Sequence, residues 1–153
     1  VADDVLAQAA TVNWQNGNYG GRDVAQFTAP GIGRGEIVCR PDTQWLRFFP
    51  TSGAADTAMT WVESEPGNRV GESTAHRTQY TGPDFYAGFN DYRGQQTGMG
   101  SMQGIISSRL DRTVNGGPGP APTTFRVTWY WSFGDGAPRC YVAALFVSPG
   151  SAA

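Results

Sequence analysis

No lysine occurs in these 153 residues, and all eleven basic side chains are arginine. That bias fits the codon usage of a GC-rich genome better than selection for guanidinium chemistry. The arginines are dispersed and outweighed by thirteen acids, for a net charge of −2. Phosphate binding needs a clustered cationic surface, so nucleic acid is excluded as an expected partner. Histidine is nearly missing too. The single His76 would have to serve any Ser-His-Asp or Cys-His centre, and no Gly-x-Ser-x-Gly elbow accompanies it, since Gly100-Ser101-Met102-Gln103-Gly104 has its serine out of place. His76 reads as an exposed strand residue.

Long apolar runs are absent. No stretch of 18 apolar residues exists to cross a bilayer as a helix, so membrane insertion of this chain is not expected. The start at Val1 rather than Met is read as the result of processing or trimming upstream. Cysteine is limited to Cys39 and Cys140, with no Cys-x-x-Cys pair, and one distant histidine leaves too few ligands for zinc. The expectation is a disulfide between them, closing a loop of roughly 100 residues and nominally worth about 4 to 5 kcal/mol in the chain-entropy model. A disulfide implies an oxidising location, secreted or at the cell surface.

Cofactor motifs are lacking as well. Gly31-Ile32-Gly33-Arg34-Gly35 has neither the spacing nor the following helix of a dinucleotide loop, and no cofactor or metal is expected. Asp84, Asn90 and Asp91 could offer oxygens to Ca²⁺, but without EF-hand spacing an aromatic loop is the better reading. A glycan hydrolase would have to draw its two carboxyls from Glu63, Glu65, Glu72, Asp84 and Asp91. Glu63 and Glu65 lie along one strand rather than across a cleft, so a solvated acidic edge is favoured and the chain is expected not to be an enzyme.

What is present is core material and turn chemistry. Apolar residues make up 39%, with five Trp, six Tyr and eight Phe, alongside 21 Gly and 10 Pro. That is enough to fill one domain of this length. Phe125, Val127, Trp129, Trp131 and Phe133 alternate with polar residues, the period-two signature of a strand with one buried face. After Gly134 to Pro138 comes a second strand, in which Cys140, Val142, Ala144 and Phe146 share one face. Tyr141, Ala143, Leu145 and Val147 share the other, so both faces are expected to meet protein.

Further strands are read over residues 11–15, 24–29, 57–64 and 73–80, the last polar enough for a sheet edge, with a hairpin joining 35–40 to 43–49. Residues 84–92 read as a strand or an aromatic loop. Residues 101–111 fit helix or strand, with strand preferred because of Gly104 and the Ile105-Ile106 pair. Asn115 to Pro122 is a surface connector. Asp3 or Asp4 could cap a short helix carrying Val5, Leu6 and Ala9 on one side. The expected organisation is therefore a tail or short helix over 1–10, an antiparallel β-sandwich of about eight to ten strands over 11–149, and a tail over 150–153. A jelly-roll-like arrangement is preferred to an immunoglobulin-like one.

Two functional expectations follow. The first is a non-catalytic, exported structural subunit of a filament, pilus or surface array, self-associating through Val1, Val5, Leu6, Tyr141, Ala143, Leu145 and Val147. Residues 1–14 would be the candidate donor segment if strands exchange between subunits. The alternative is a secreted carbohydrate-binding or adhesive module that stacks sugars on Tyr19, Tyr86, Tyr92 and Tyr130. Trp45, Trp61, Trp129 and Trp131 are assigned to the core.

Overall fold

A computed structural model describes residues 6–29, 32–50, 57–65, 72–80, 85–87, 97–108, 113–114, 117–118, 122–134 and 136–148. The described residues form twelve strands and no helix. They are β1 (Leu6–Gln15), β2 (Val24–Ala29), β3 (Gly33–Arg40), β4 (Thr43–Pro50), β5 (Thr57–Glu65), β6 (Glu72–Tyr80), β7 (Phe85–Ala87), β8 (Thr97–Ser108), β9 (Thr113–Val114), β10 (Gly117–Pro118), β11 (Thr123–Ser132) and β12 (Arg139–Ser148). A six-stranded sheet runs β1-β12-β11-β8-β5-β6 and a four-stranded sheet β2-β3-β4-β7, with β9 and β10 as a separate two-stranded pair. All pairings are antiparallel. The two larger sheets pack as a sandwich.

Alternation sets the core. β11 reads buried-exposed through Trp129, placing Phe125, Val127, Trp129 and Trp131 inward, and β12 places Cys140, Val142, Ala144 and Phe146 inward beside them. From the four-stranded sheet come Phe27, Ile37, Cys39, Leu46 and Phe48. The layers meet through aromatic rings. Phe27 stacks on Phe146 with centroids 4.1 Å apart, and Phe48 meets Phe125 and Phe146, each at 5.9 Å. Large rings need small partners in the same layer. β8 supplies them by register, with Gly98 opposite Trp131, Gly100 opposite Trp129 and Gly104 opposite Phe125. At Gly98 a Cβ would collide with the Trp131 indole, so only glycine fits beneath that ring.

The expected disulfide is present, joining β3 to β12 and therefore one sheet to the other, with Cα atoms 6.4 Å apart. Beside it the Trp14 Nε1 donates a 2.8 Å hydrogen bond to the Cys39 carbonyl, a second tie between layers. Because both groups are buried, that bond also meets the hydrogen-bonding need of the indole.

Residues 6–10 do not form a helix. They are the first half of β1, whose ten residues pair from Leu6↔Ser148 to Gln15↔Arg139. A short helix of this composition is marginal alone, whereas pairing with β12 satisfies the backbone and buries Ala10, Val12 and Trp14. The polar strand β6 lies at the sheet edge as its composition suggests, and residues 97–108 are strand. The strand total exceeds the expected eight to ten because β9 and β10, of two residues each, count separately.

Candidate functional site: the outer face of the six-stranded sheet

The register assembles one surface from residues far apart in sequence. Side chains that point away from the core line up across β1, β12, β11, β8 and β5 in rows perpendicular to the strands. One row is Ala9, Leu145, Arg126, Gln103 and Val62; the next is Thr11, Ala143, Thr128 and Ser101; the third is Asn13, Tyr141, Tyr130 and Met99. Beyond Leu145 the face continues with Ala7, Val147, Thr124 and Ile105.

Val62, Met99, Ile105, Tyr141 and Leu145 are the large apolar side chains left substantially exposed among the described residues, at 37 to 47%. All five lie on this face. Two shallow depressions mark it. One of about 470 Å³ lies over the short Thr11, Ala143 and Thr128, and one of about 400 Å³ lies between Leu145, Arg126 and Ile105. Among the described side chains of the three rows, Arg126 is the one charge, exposed and without a hydrogen-bond or ion-pair partner. Tyr130 and Tyr141 lie side by side, centroids 6.4 Å apart and planes 24° apart. Arg139 at the strand end donates to the Tyr130 hydroxyl at 3.3 Å, which fixes that ring against the sheet.

Each expected site residue has its place relative to this face. Tyr141, Ala143 and Leu145 are exposed on it, and Val147 is half-buried there, so the second face of β12 is not covered by the chain's own second sheet. Leu6 pairs with Ser148 through its backbone, and residues 6–14 are engaged within their own chain along β12. Val1, Val5 and Tyr92 lie outside the described residues. Tyr130 joins the face, but Tyr19 does not. It packs edge-on against Trp14 at 4.6 Å beside the β1–β2 connection, where burial first, then Asp42 and Asp23, hold its phenol above the ordinary value. Tyr86 is in β7 of the other sheet, paired with Arg47.

Trp45 is not in the core. It is half-buried on the outer face of the four-stranded sheet, because the β4 alternation that sends Gln44, Leu46 and Phe48 inward sends Trp45, Arg47 and Phe49 outward. Glu63 and Glu65 are in β5, and Glu72 of β6 is the register partner of Glu65; Asp84, Asn90 and Asp91 lie outside the described residues. Among the described residues no group of three or more His, Cys, Asp or Glu is placed to hold a metal ion.

No protein-family model, curated protein or solved structure matches this chain.

Met99, Ile105, Val62 and Arg126 belong to the face and were not singled out from the sequence. The alternation of β8, with Met99, Ser101, Gln103 and Ile105 on one side, carried the signal for two of them. Grouping them with Leu145 requires knowing that β8 follows β11 in the sheet.

Proposed function

We propose that this chain is a non-catalytic, exported structural subunit whose six-stranded sheet packs its outer face against another protein surface in an extracellular assembly such as a filament, pilus or surface array. The observation that carries the reading is the gathering of all five exposed large apolar side chains onto one sheet face that holds a single described charge in its three central rows. Exposed large apolar side chains scattered singly are normal on a soluble protein, whereas their collection on one face poor in charge has the character of an interaction surface. Export is supported by the Cys39–Cys140 disulfide, since such bonds persist in oxidising compartments. No described helix is long and apolar enough to cross a membrane, which is compatible with that location. A jelly-roll-like wrapping is supported by the chain's repeated passage between sheets, from β1 to β2, β4 to β5, β6 to β7 and β7 to β8.

The Tyr130–Tyr141 pair favours a second reading, a carbohydrate-binding or adhesive module, because adjacent rings offer a platform for a sugar's apolar face. The branched side chains of Leu145, Ile105 and Val62 offer no flat ring, so the assembly reading is preferred. Sedimentation velocity with negative-stain microscopy separates the two. The assembly reading expects concentration-dependent species larger than the 16.4 kDa chain; a monomer throughout that binds an oligosaccharide, with binding lost in Tyr141→Ala, would replace it with the glycan reading.

A further inference from the structure

We infer that the cleft where β1 runs into its following turn binds an acidic saccharide, a sugar bearing a carboxylate, with Arg22 holding the carboxylate and the side-chain amides of Asn13, Gln15, Asn16 and Asn18 meeting its hydroxyls. The site lies beyond the rows that hold Leu145, Ile105 and Val62, and it does not depend on the assembly reading.

The sequence builds this cleft locally. Strand alternation puts Asn13 and Gln15 on one side of β1, about 7 Å apart, as one wall. Asn16 and Gly17 then adopt positive φ, 59° and 69°, which asparagine and glycine tolerate better than other residues, and the chain turns sharply. The Asn18 N–H closes the turn on the Gln15 carbonyl at 3.2 Å, and the Gly17 N–H ties it to the Pro138 carbonyl at 3.1 Å. Further on, the Arg22 N–H donates to the Tyr19 carbonyl at 2.7 Å, and the Tyr19 ring packs edge-on against Trp14. The backbone that carries the five polar side chains is thus fixed before a ligand arrives, which lowers the ordering cost of binding.

At about 480 Å³ the cleft falls in the range of small-ligand sites, about 300 to 1,000 Å³. Its chemistry is unlike that of the two depressions on the sheet face. Three asparagines, one glutamine and one arginine line it, and none of these side chains has a hydrogen-bond or ion-pair partner among the described residues. An amide offers donors on its nitrogen and an acceptor on its oxygen, so neighbouring amides suit vicinal hydroxyls, which act in both roles. Trp14 is the only aromatic of the lining and is 1% exposed, so no ring face is open for stacking and binding rests on hydrogen bonds and charge.

Charge selects the acid. Arg22 is the one charged residue of the lining, and Asp23 beside it in sequence is buried and paired with Arg40 at 3.3 Å. Arg139, the register partner of Gln15, brings a second cation close by. A guanidinium fork meets a carboxylate through two parallel hydrogen bonds, a match that a neutral sugar does not offer.

Titration of the full chain with digalacturonate, followed by ¹H–¹⁵N NMR, tests the site. Saturable shifts are expected within residues 13–22. Arg22→Ala should weaken binding about tenfold or more and Asn18→Ala about threefold. Both residues are exposed, and both turn-forming bonds come from their backbone N–H groups, so neither substitution removes a contact that holds the turn. The dimethyl ester of the same disaccharide keeps every hydroxyl and loses the charge, and it should bind about tenfold more weakly. Tyr141→Ala, whose ring lines the other depression, should leave the affinity unchanged. No saturable shift at tens of millimolar probe, equal binding of the ester, or binding that Arg22→Ala leaves intact overturns the inference. Binding kept in Arg22→Ala but lost in Tyr141→Ala assigns the sugar to the tyrosine pair instead. A chain that binds at this cleft yet is monomeric at every concentration overturns the assembly reading alone.

Discussion

The two outer faces of the sandwich solve the problem of exposed side chains in opposite ways. On the four-stranded sheet, Arg47 forms an ion pair with Glu36 and lies over the rings of Trp45 and Phe49, at 4.5 and 5.0 Å; Arg34 also lies over Phe49, at 4.7 Å. Glu36 also accepts from the Trp45 Nε1 at 3.2 Å. The two aromatic rings described there, Trp45 and Phe49, each have a charged cover, and Val38, level with Trp45, is only 2% exposed. On the six-stranded sheet, aliphatic side chains of similar size stand open, with Arg126 the one charged side chain described among their rows. The first face is closed by its own chain; the second is finished as an interface is, apolar and poor in charge.

The difference lies in chemistry rather than architecture. Both faces are antiparallel, twisted and built from alternating strands. A guanidinium can cover an aromatic ring and pair with a carboxylate at once, so the Arg-aromatic-Glu arrangement satisfies itself within one sheet. Leu145, Ile105 and Val62 have no such partner chemistry, and on the assembly reading proposed above another apolar surface covers them.

The largest way to disturb the comparison is to release the sheets from each other. Cys39→Ala with Cys140→Ala is expected to lower stability by about 2 to 5 kcal/mol, read by urea unfolding under non-reducing conditions. Where that variant is still folded, its association should match the parent, because the disulfide is buried between the layers and touches neither outer face. Next comes the closed face. Glu36→Ala removes the ion pair to Arg47 and the hydrogen bond from Trp45 Nε1, and a loss of about 1 to 3 kcal/mol is expected, with association unchanged. Smaller still is a softening of the open face. Ile105→Thr and Val62→Thr should each leave monomer stability within about 0.5 kcal/mol, since both side chains are already half in water, while weakening association several-fold in sedimentation. Stability and association should therefore separate cleanly between the two faces.

Much of this was legible in the chain. The alternation of residues 123–133 and of 35–49 marks two hairpins, because local pairing needs only a period of two and a turn. Cys39 and Cys140 are joined because no other pairing or ligand set was available. The misjudged pieces share a cause, which is that neighbours distant in sequence decide the outcome. Residues 6–10 look capable of helix until Ser148 to Ala144 pair with them. Trp45 looks like core until β4 turns it outward beside Arg47. The second face of β12 was visible as apolar, but the sequence could not place β1 and β11 on either side of it or extend it to Met99, Ile105 and Val62. That extension is set by sheet order, which turns a question about four residues into a surface spanning five strands.

The central claim is that the open face is an interface between copies of this chain. Sedimentation velocity over a concentration series, run in parallel on the parent and on Leu145→Glu, tests it most directly. The parent is expected to shift from monomer to dimer or larger while Leu145→Glu remains monomeric with unchanged unfolding midpoint. A parent that sediments as a 16.4 kDa monomer throughout, or a Leu145→Glu variant that associates equally well, would contradict the account.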